Sequence, residues 1–272
     1  MKTIKSEKVA ATAQPKHRKG ISAALVIAVC AVVAFVFFYC VCGNPSNFDA
    51  KGHPVDNNIF GTLYQGGFVI PIVMTLLLTV LSLGVERIIA LSKANGKGKI
   101  VNFVAQAKSL LQNGDLDATE ELCDKQRGSV ANILKAALVR YRDVENRSDL
   151  TSDEKAGIVE KEVADATALE LPYMQQNLNV IATISSLGTP FGLLGTVLGM
   201  IRSFGAMANE GAPDSIALSL GISEALMNTA MGIMTGALAI IVYNYFSSKV
   251  ENITNAVDEV GFAIGQTFKE KK

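Results

Sequence analysis

Tryptophan is absent from this 272-residue chain, histidine occurs twice and cysteine four times. Charged residues make up only 18% of it, and 25 basic side chains balance 25 acidic ones, for a formal net charge of +0. A chain with no excess of positive charge lacks the electrostatic footprint of a nucleic-acid binder. His17 and His53 lie far apart, and neither is near a paired nucleophile. The cysteines, Cys30, Cys40, Cys42 and Cys123, form no Cys-x-x-Cys pair or other metal-ligand spacing and read as small packing residues. Gly96-Lys97-Gly98-Lys99 lacks the Gly-x4-Gly-Lys-Ser/Thr spacing of a phosphate loop and follows no strand, so it reads as a basic linker. These absences leave no basis for an enzyme, a cofactor or a metal centre.

What the chain does have is apolar sequence, 49% of all residues, with a mean hydropathy of +0.30. It is concentrated in blocks. Four windows are long enough to span a bilayer: Ile21–Cys42, Phe68–Val85 with an extension back to Ile59, Val180–Ile201 and Leu218–Phe246. The expected fold is all-α, a polytopic membrane protein whose long transmembrane helices extend into a cytoplasmic helical domain. The expected layout is a basic tail over 1–20, an N-terminal transmembrane helix over 21–43, an outer loop over 44–58 and a second transmembrane helix over 59–91. A helical cytoplasmic domain follows over 92–179, and 180–272 holds the last two spans and a C-terminal tail. The first span also follows a basic stretch, as a signal peptide would. Its apolar run is too long for one, and Tyr39-Cys40-Val41-Cys42-Gly43 offers no Ala-x-Ala-like cleavage pattern, which favours a retained anchor.

Orientation follows from the basic residues. Lys2, Lys5, Lys8, Lys16, Arg18 and Lys19 face a single acid, Glu7, in the tail, while Arg87, Lys93, Lys97 and Lys99 mark the exit of the second span and Lys249 that of the fourth. The positive-inside bias therefore puts both termini in the cytoplasm of a multi-pass inner-membrane protein. Arg202, at the outer end of the third span, is the one dissenting charge; it snorkels to the interface or pairs with Glu210.

The cytoplasmic section has helical periodicity. Ile100, Phe103, Val104, Ala107, Leu110 and Leu111 share a face, Asn113-Gly114-Asp115 makes a turn, and Leu116–Cys123 and Val130–Tyr141 supply further amphipathic helices. After a loop over Arg142–Asp153, a charged helix from Glu154 to Asn179 runs toward the third span, with Pro172 as a site for a kink.

Glu224 is the only acidic side chain between Ile216 and Phe246. An acid at the centre of a spanning helix costs roughly 2.5–3.5 kcal/mol, so it marks an ion or proton pathway or a partner that shares the site. From a helix start at Asp214-Ser215 it lies roughly 13 Å along, inside the hydrocarbon; a start near Leu226 would leave it at the headgroups. Gly188, Gly192, Gly195 and Gly199 on the third span, and Gly232 and Gly236 on the fourth, follow the small-xxx-small spacing of closely packed membrane helices. Thr189, Thr196 and Ser203 share one face of the third span, and Gly221, Glu224, Asn228, Met231 and Thr235 one face of the fourth. Thr229 lies about 140° round from Glu224 and faces a different neighbour or an oblique pore wall. Hydroxyls and an amide beside one carboxylate suit a short water chain, as proton passage through a dry medium requires.

Gly192-Leu-Leu-Gly-Thr-Val-Leu-Gly-Met200, followed by Gly221-Ile-Ser-Glu-Ala-Leu-Met-Asn-Thr229-Ala-Met-Gly232 and Tyr243-Asn244, resembles the paired signature of the ExbB/TolQ proton-channel family, within the MotA/TolQ/ExbB superfamily. The resemblance is strongest over Ile184–Phe246 and closest to ExbB. It implies a homopentamer around the transmembrane helices of an ExbD-like single-span protein, with a TonB-like transducer carrying the energy of the proton motive force to the outer membrane. It puts the ionisable pore residue at Glu224 and pore threonines at Thr196 and Thr229; Asn228 and Arg202, which depart from the family pattern, add polarity near the motif. The chain departs from the family in its extra first span and in Leu198, where many relatives have tryptophan. Four spans also match the layout of MotA-like flagellar stators, and a TolQ-like role in envelope integrity fits the same motif. A non-conducting scaffold, whose glycines only pack helices, is the reading from a different class.

Overall fold

The computed structural model describes residues 21–50, 53–55, 58–209 and 215–270, and all of the secondary structure among them is helical apart from one isolated bridge between Phe48 and Pro54. The basic tail, Glu210 and Asp214 lie outside the described residues.

Helix α1 (Ala23–Phe37) continues as a π-helical turn, Phe38–Cys42. Its apolar residues point mostly outward, but Cys30 and Ala34 are buried against α3 (Val69–Asn95), where the Cys30 thiol lies 3.5 Å from the Ser82 hydroxyl. The stretch 59–91, expected as one helix, is divided. A short α2 (Ile59–Gln65), capped by the Asn58 side chain on the amides of Phe60 and Gly61, stops at Gly66-Gly67 before α3 begins. Gly67 has φ +71°, a left-handed conformation that favours glycine and that terminates α2.

The section between the second and third apolar blocks is a bundle of helices, α4 (Ile100–Gln112), α5 (Leu116–Gln126), α6 (Ser129–Glu145) and α7 (Ser152–Gln175). Asp115 caps α5 through the Ala118 amide, and Thr151 and Glu154 form a capping box at the start of α7. Helix α7 runs through Pro172 and breaks instead at Gln176-Asn177, where Asn177 has φ +64°; α8 (Leu178–Asn209) starts beyond it.

Arg87 explains the break. Expected as a basic marker of a membrane exit, it is 0% exposed, pairs with Glu86 and donates to the Tyr173 carbonyl at 3.1 Å and the Met174 carbonyl at 3.3 Å. A cation thus satisfies the last carbonyls of α7 and ties them to α3. The Asn177 amide adds a hydrogen bond to Glu86, 3.3 Å.

Helix α9 (Ser215–Glu270) has 56 residues, roughly 84 Å at the α-helical rise. Its first half pairs with α8, and its second half enters the helical bundle, where Val250, Ile253, Val257, Val260 and Ile264 are buried with residues of α4, α6 and α7. Four segments are long and apolar enough to cross a membrane: Ala23–Cys42, Val69–Gln112, Leu178–Gly205 and Leu218–Thr267.

Candidate functional site

The α8–α9 hairpin is held by glycines. A Cβ on Gly188 would lie 2.6 Å from the Gly236 amide nitrogen, one on Gly192 3.0 Å from the Gly232 Cα, and one on Gly199 3.2 Å from the Gly221 carbonyl oxygen. Backbones this close leave no room for a side chain, which is the physical content of the small-xxx-small spacing. Gly195 serves a different purpose. Its missing side chain makes room for that of Asn228, whose Cγ would be 2.5 Å from an added Cβ.

Within this frame the structure brings Thr196 and Thr229 together, their hydroxyls hydrogen-bonded to each other across the two helices. The Thr196 hydroxyl also lies 3.2 Å from the Gly192 carbonyl oxygen and 3.3 Å from that of Ala225. Thr229 therefore faces α8 of its own chain. Ser203 is buried against Gly221, while Thr189 on the same face of α8 is exposed with its hydroxyl near Gly236.

The face of α9 that carries Glu224 turns toward the break between α2 and α3. Asn228, 0% exposed, donates to the Gly66 carbonyl at 2.8 Å and to the Glu224 carbonyl at 3.1 Å, and its Oδ1 is buried with no hydrogen-bond partner. Met227 and Met231 pack beside Phe38, Cys42 and Ile70. Thr235 is buried and donates to the carbonyl of Met231. Helix α2 and the π turn of the first span are thus neighbours of this site.

Glu224 has Arg202 as its side-chain partner among the described residues, Nη1 to Oε1 at 3.0 Å. The carboxylate side chain is 15% exposed and the arginine side chain 59%. Gly67 lies directly over the pair, since a Cβ there would be 2.5 Å from Glu224 Oε1 and 3.0 Å from Arg202 Nη1. Glu210, the expected partner of Arg202, lies outside the described residues.

Arg202 was expected near the motif but not as the partner of Glu224, and the Gly66-Gly67 turn was not expected at this site, yet one signal was available. Arg202 with Glu224, Thr196 with Thr229, and Gly192 with Gly232 share a midpoint near residue 212 or 213, as facing residues of one antiparallel hairpin must. The Gly66-Gly67 turn had only the glycine pair to announce it. Among the described residues, no group of three or more His, Cys, Asp or Glu side chains could hold a metal ion.

Residues 126–259, which include Thr196, Arg202, Glu224, Asn228 and Thr229 but not the Gly66-Gly67 turn or the first span, match the model of the MotA/TolQ/ExbB proton channel family. The chain carries a MotA/TolQ/ExbB family domain. Similar proteins include the biopolymer transport protein ExbB of Salmonella typhimurium, 28% identical over 169 residues that cover 60% of this chain and 69% of that protein. The Pseudomonas putida protein of the same name is 29% identical over 157 residues, 57% of this chain and 45% of its own. The Tol-Pal system protein TolQ of Pseudomonas aeruginosa is 29% identical over 122 residues, 45% of this chain and 53% of its own length. The chain is thus a membrane protein with a proton-channel family domain and several candidate spans.

Proposed function

We propose that this protein is an ExbB-like subunit of the inner membrane that conducts protons through an assembly of its own copies and couples the proton motive force to transport at the outer membrane. The observation that carries the reading is Glu224, its side chain 15% exposed, on a hairpin closed by glycines in a segment long and apolar enough to cross a membrane, with Asn228 one turn on and the Thr196–Thr229 pair further along the same two helices. A carboxylate there is costly unless it works or is paired, and neighbouring hydroxyls and an amide offer sites for water along a proton path. Glu224 is the group that takes up and releases the proton; Thr196, Thr229 and Asn228 line its route.

Assembly is supported by the cytoplasmic bundle. Val101, Leu169 and Phe262 are 77%, 61% and 65% exposed and lie beyond the apolar windows Phe68–Val85, Val180–Ile201 and Leu218–Phe246, where a second copy can cover them. The pentamer, the ExbD-like single-span partner and the TonB-like transducer come from the family resemblance, as do the lipid-embedded setting and both termini on the cytoplasmic side.

Uptake of an outer-membrane receptor substrate, in cells carrying variants at matched membrane levels, tests the reading. Glu224→Gln abolishes uptake without abolishing assembly, because an amide cannot alternate between protonation states, and Glu224→Asp retains part of it only if the shorter carboxylate reaches its partner. Full uptake with Glu224→Gln, in cells that also remain resistant to detergent, overturns the proton-coupling role and leaves a scaffold. The similarity to a TolQ protein supports a second reading, an envelope-integrity motor using the same proton chemistry. Under that reading Glu224→Gln leaves uptake intact and makes the cells sensitive to detergent.

A further inference from the structure

We infer that Arg202 is a positioning residue for Glu224, a releasable counter-ion that holds the carboxylate in its unprotonated form between transfer events. The inference rests on the proton-channel reading and concerns a side chain that the pore motif does not contain. Three features of the geometry carry it.

The first is the asymmetry of exposure. Glu224 is the enclosed half of the pair, at 15%, and Arg202 the open half, at 59%. If the pair separates, the arginine is the member that moves, since its long stem allows its head to snorkel to the outer interface while the carboxylate keeps its place. The second is the single contact. One guanidinium nitrogen meets one carboxylate oxygen, at 3.0 Å, without the two-pronged geometry that makes arginine–carboxylate pairs strong and rigid. The third is that the carboxylate has a seat independent of the arginine. Asn228, on the next turn of α9, bonds the Gly66 carbonyl at 2.8 Å, and Gly67 closes over Oε1, so α9 stays docked to the α2–α3 turn when Arg202 leaves.

The chemistry follows. While Nη1 occupies Oε1, a proton arriving at the site meets a positive charge and an oxygen already engaged, and the carboxylate remains charged. Once Arg202 withdraws, an unpaired carboxylate at membrane depth is unfavourable and takes a proton on the vacated oxygen. Return of the guanidinium favours release of that proton. Arg202 remains protonated throughout, so one proton is bound and one released in each cycle.

Carbodiimide labelling reads this directly, because dicyclohexylcarbodiimide modifies a membrane-embedded carboxyl group in its protonated form. The full-length protein in its native membranes is treated at neutral pH and the adduct on Glu224 is quantified by mass spectrometry. Arg202→Gln increases the labelling rate about fivefold or more over the unsubstituted protein, because the charge-assisted contact is lost, while Arg202→Lys, which retains a cation, stays within about twofold. Equal rates for Arg202→Gln and the unsubstituted protein overturn the inference. So do equal, elevated rates for Arg202→Lys and Arg202→Gln, which assign the effect to loss of packing rather than of charge. Native mass spectrometry of each variant confirms that the rates compare assemblies of equal size. Should Arg202→Gln fail to assemble, Arg202→Ala with added guanidinium replaces it, and labelling that the added cation does not slow overturns the inference. The uptake and detergent assays separate this idea from its premise: unchanged labelling with a Glu224→Gln strain that has lost uptake or detergent resistance removes the counter-ion role alone, whereas full uptake with full detergent resistance in that strain removes the proton pathway.

Discussion

Thr196 and Thr229 satisfy each other across the α8–α9 interface, so neither hydroxyl depends on a partner from outside the chain. Replacing either with valine leaves the other without this partner, and replacing both removes the hydrogen bond with little further loss. Thr196→Val and Thr229→Val therefore each impair uptake less than Glu224→Gln, because water can replace a hydroxyl but not a titrating group. The double variant is no worse than about twice either single defect, the non-additivity expected of contacting residues. A double-mutant cycle on uptake at matched expression checks this, and strictly multiplicative defects would separate the two threonines into independent sites. A second residue-scale expectation concerns Cys123, 3% exposed, whose thiol is pushed up to about 12 chiefly by burial. Only the thiolate reacts quickly, so maleimide at pH 8 modifies Cys123 slowly in the folded protein and rapidly in denaturant.

Helices in this protein are joined by contacts that tolerate little change. Gly232 faces Gly188 and Gly192, where a Cβ would lie 2.6 Å from the Gly192 Cα. Gly232→Val must push α8 away from α9, an overpacking that costs about 1–3 kcal/mol. Thermal denaturation in detergent shows the loss as a lower midpoint, together with weaker retention of the proton-pathway geometry in uptake assays. At the other end of α8, Arg87 is a buried charge that joins α3 to the last carbonyls of α7. Arg87→Leu leaves Glu86 without its cation and the Tyr173 and Met174 carbonyls without their donor, a cost of about 3 kcal/mol by the same measurement. An unchanged midpoint for either variant contradicts the packing described here.

At the scale of the whole molecule, the α8–α9 hairpin runs on into the bundle of α4 to α7, because α9 is far longer than the roughly 20 residues a bilayer needs. That continuity gives a rigid link between events at Glu224 and the bundle of α4 to α7. Topology is tested at Ser148, an exposed residue in the loop after α6. With the exposed Cys40 replaced, a cysteine at Ser148 reacts with an impermeant maleimide only after the cells are opened; labelling in intact cells would invert the orientation. Native mass spectrometry of the detergent-extracted complex is expected to show an oligomer, and a stable monomer contradicts the proposed assembly.

The sequence by itself determined the helical class, the four apolar blocks and the two helices that carry Glu224, Thr196 and Thr229. These properties are local: a bilayer demands long runs of apolar residues with their backbone bonds closed within the segment, and both demands can be read along the chain. The turns at Asn113-Gly114-Asp115 and the loop before Glu154 were legible for the same reason, through residues that cap or break helices within a few positions. Only the tertiary structure decided which neighbours the polar groups meet. Asn228 reaches Gly66 across 162 residues, and Arg87 reaches Tyr173 and Met174 across 86 and 87. Such contacts depend on how α2, α3 and α7 dock against the hairpin, and helical periodicity specifies a face without naming what will cover it. Arg202 stood between these cases: the hairpin register around residues 212 and 213 set it opposite Glu224, but the 3.0 Å contact and the Gly67 turn above it required the helices to be packed.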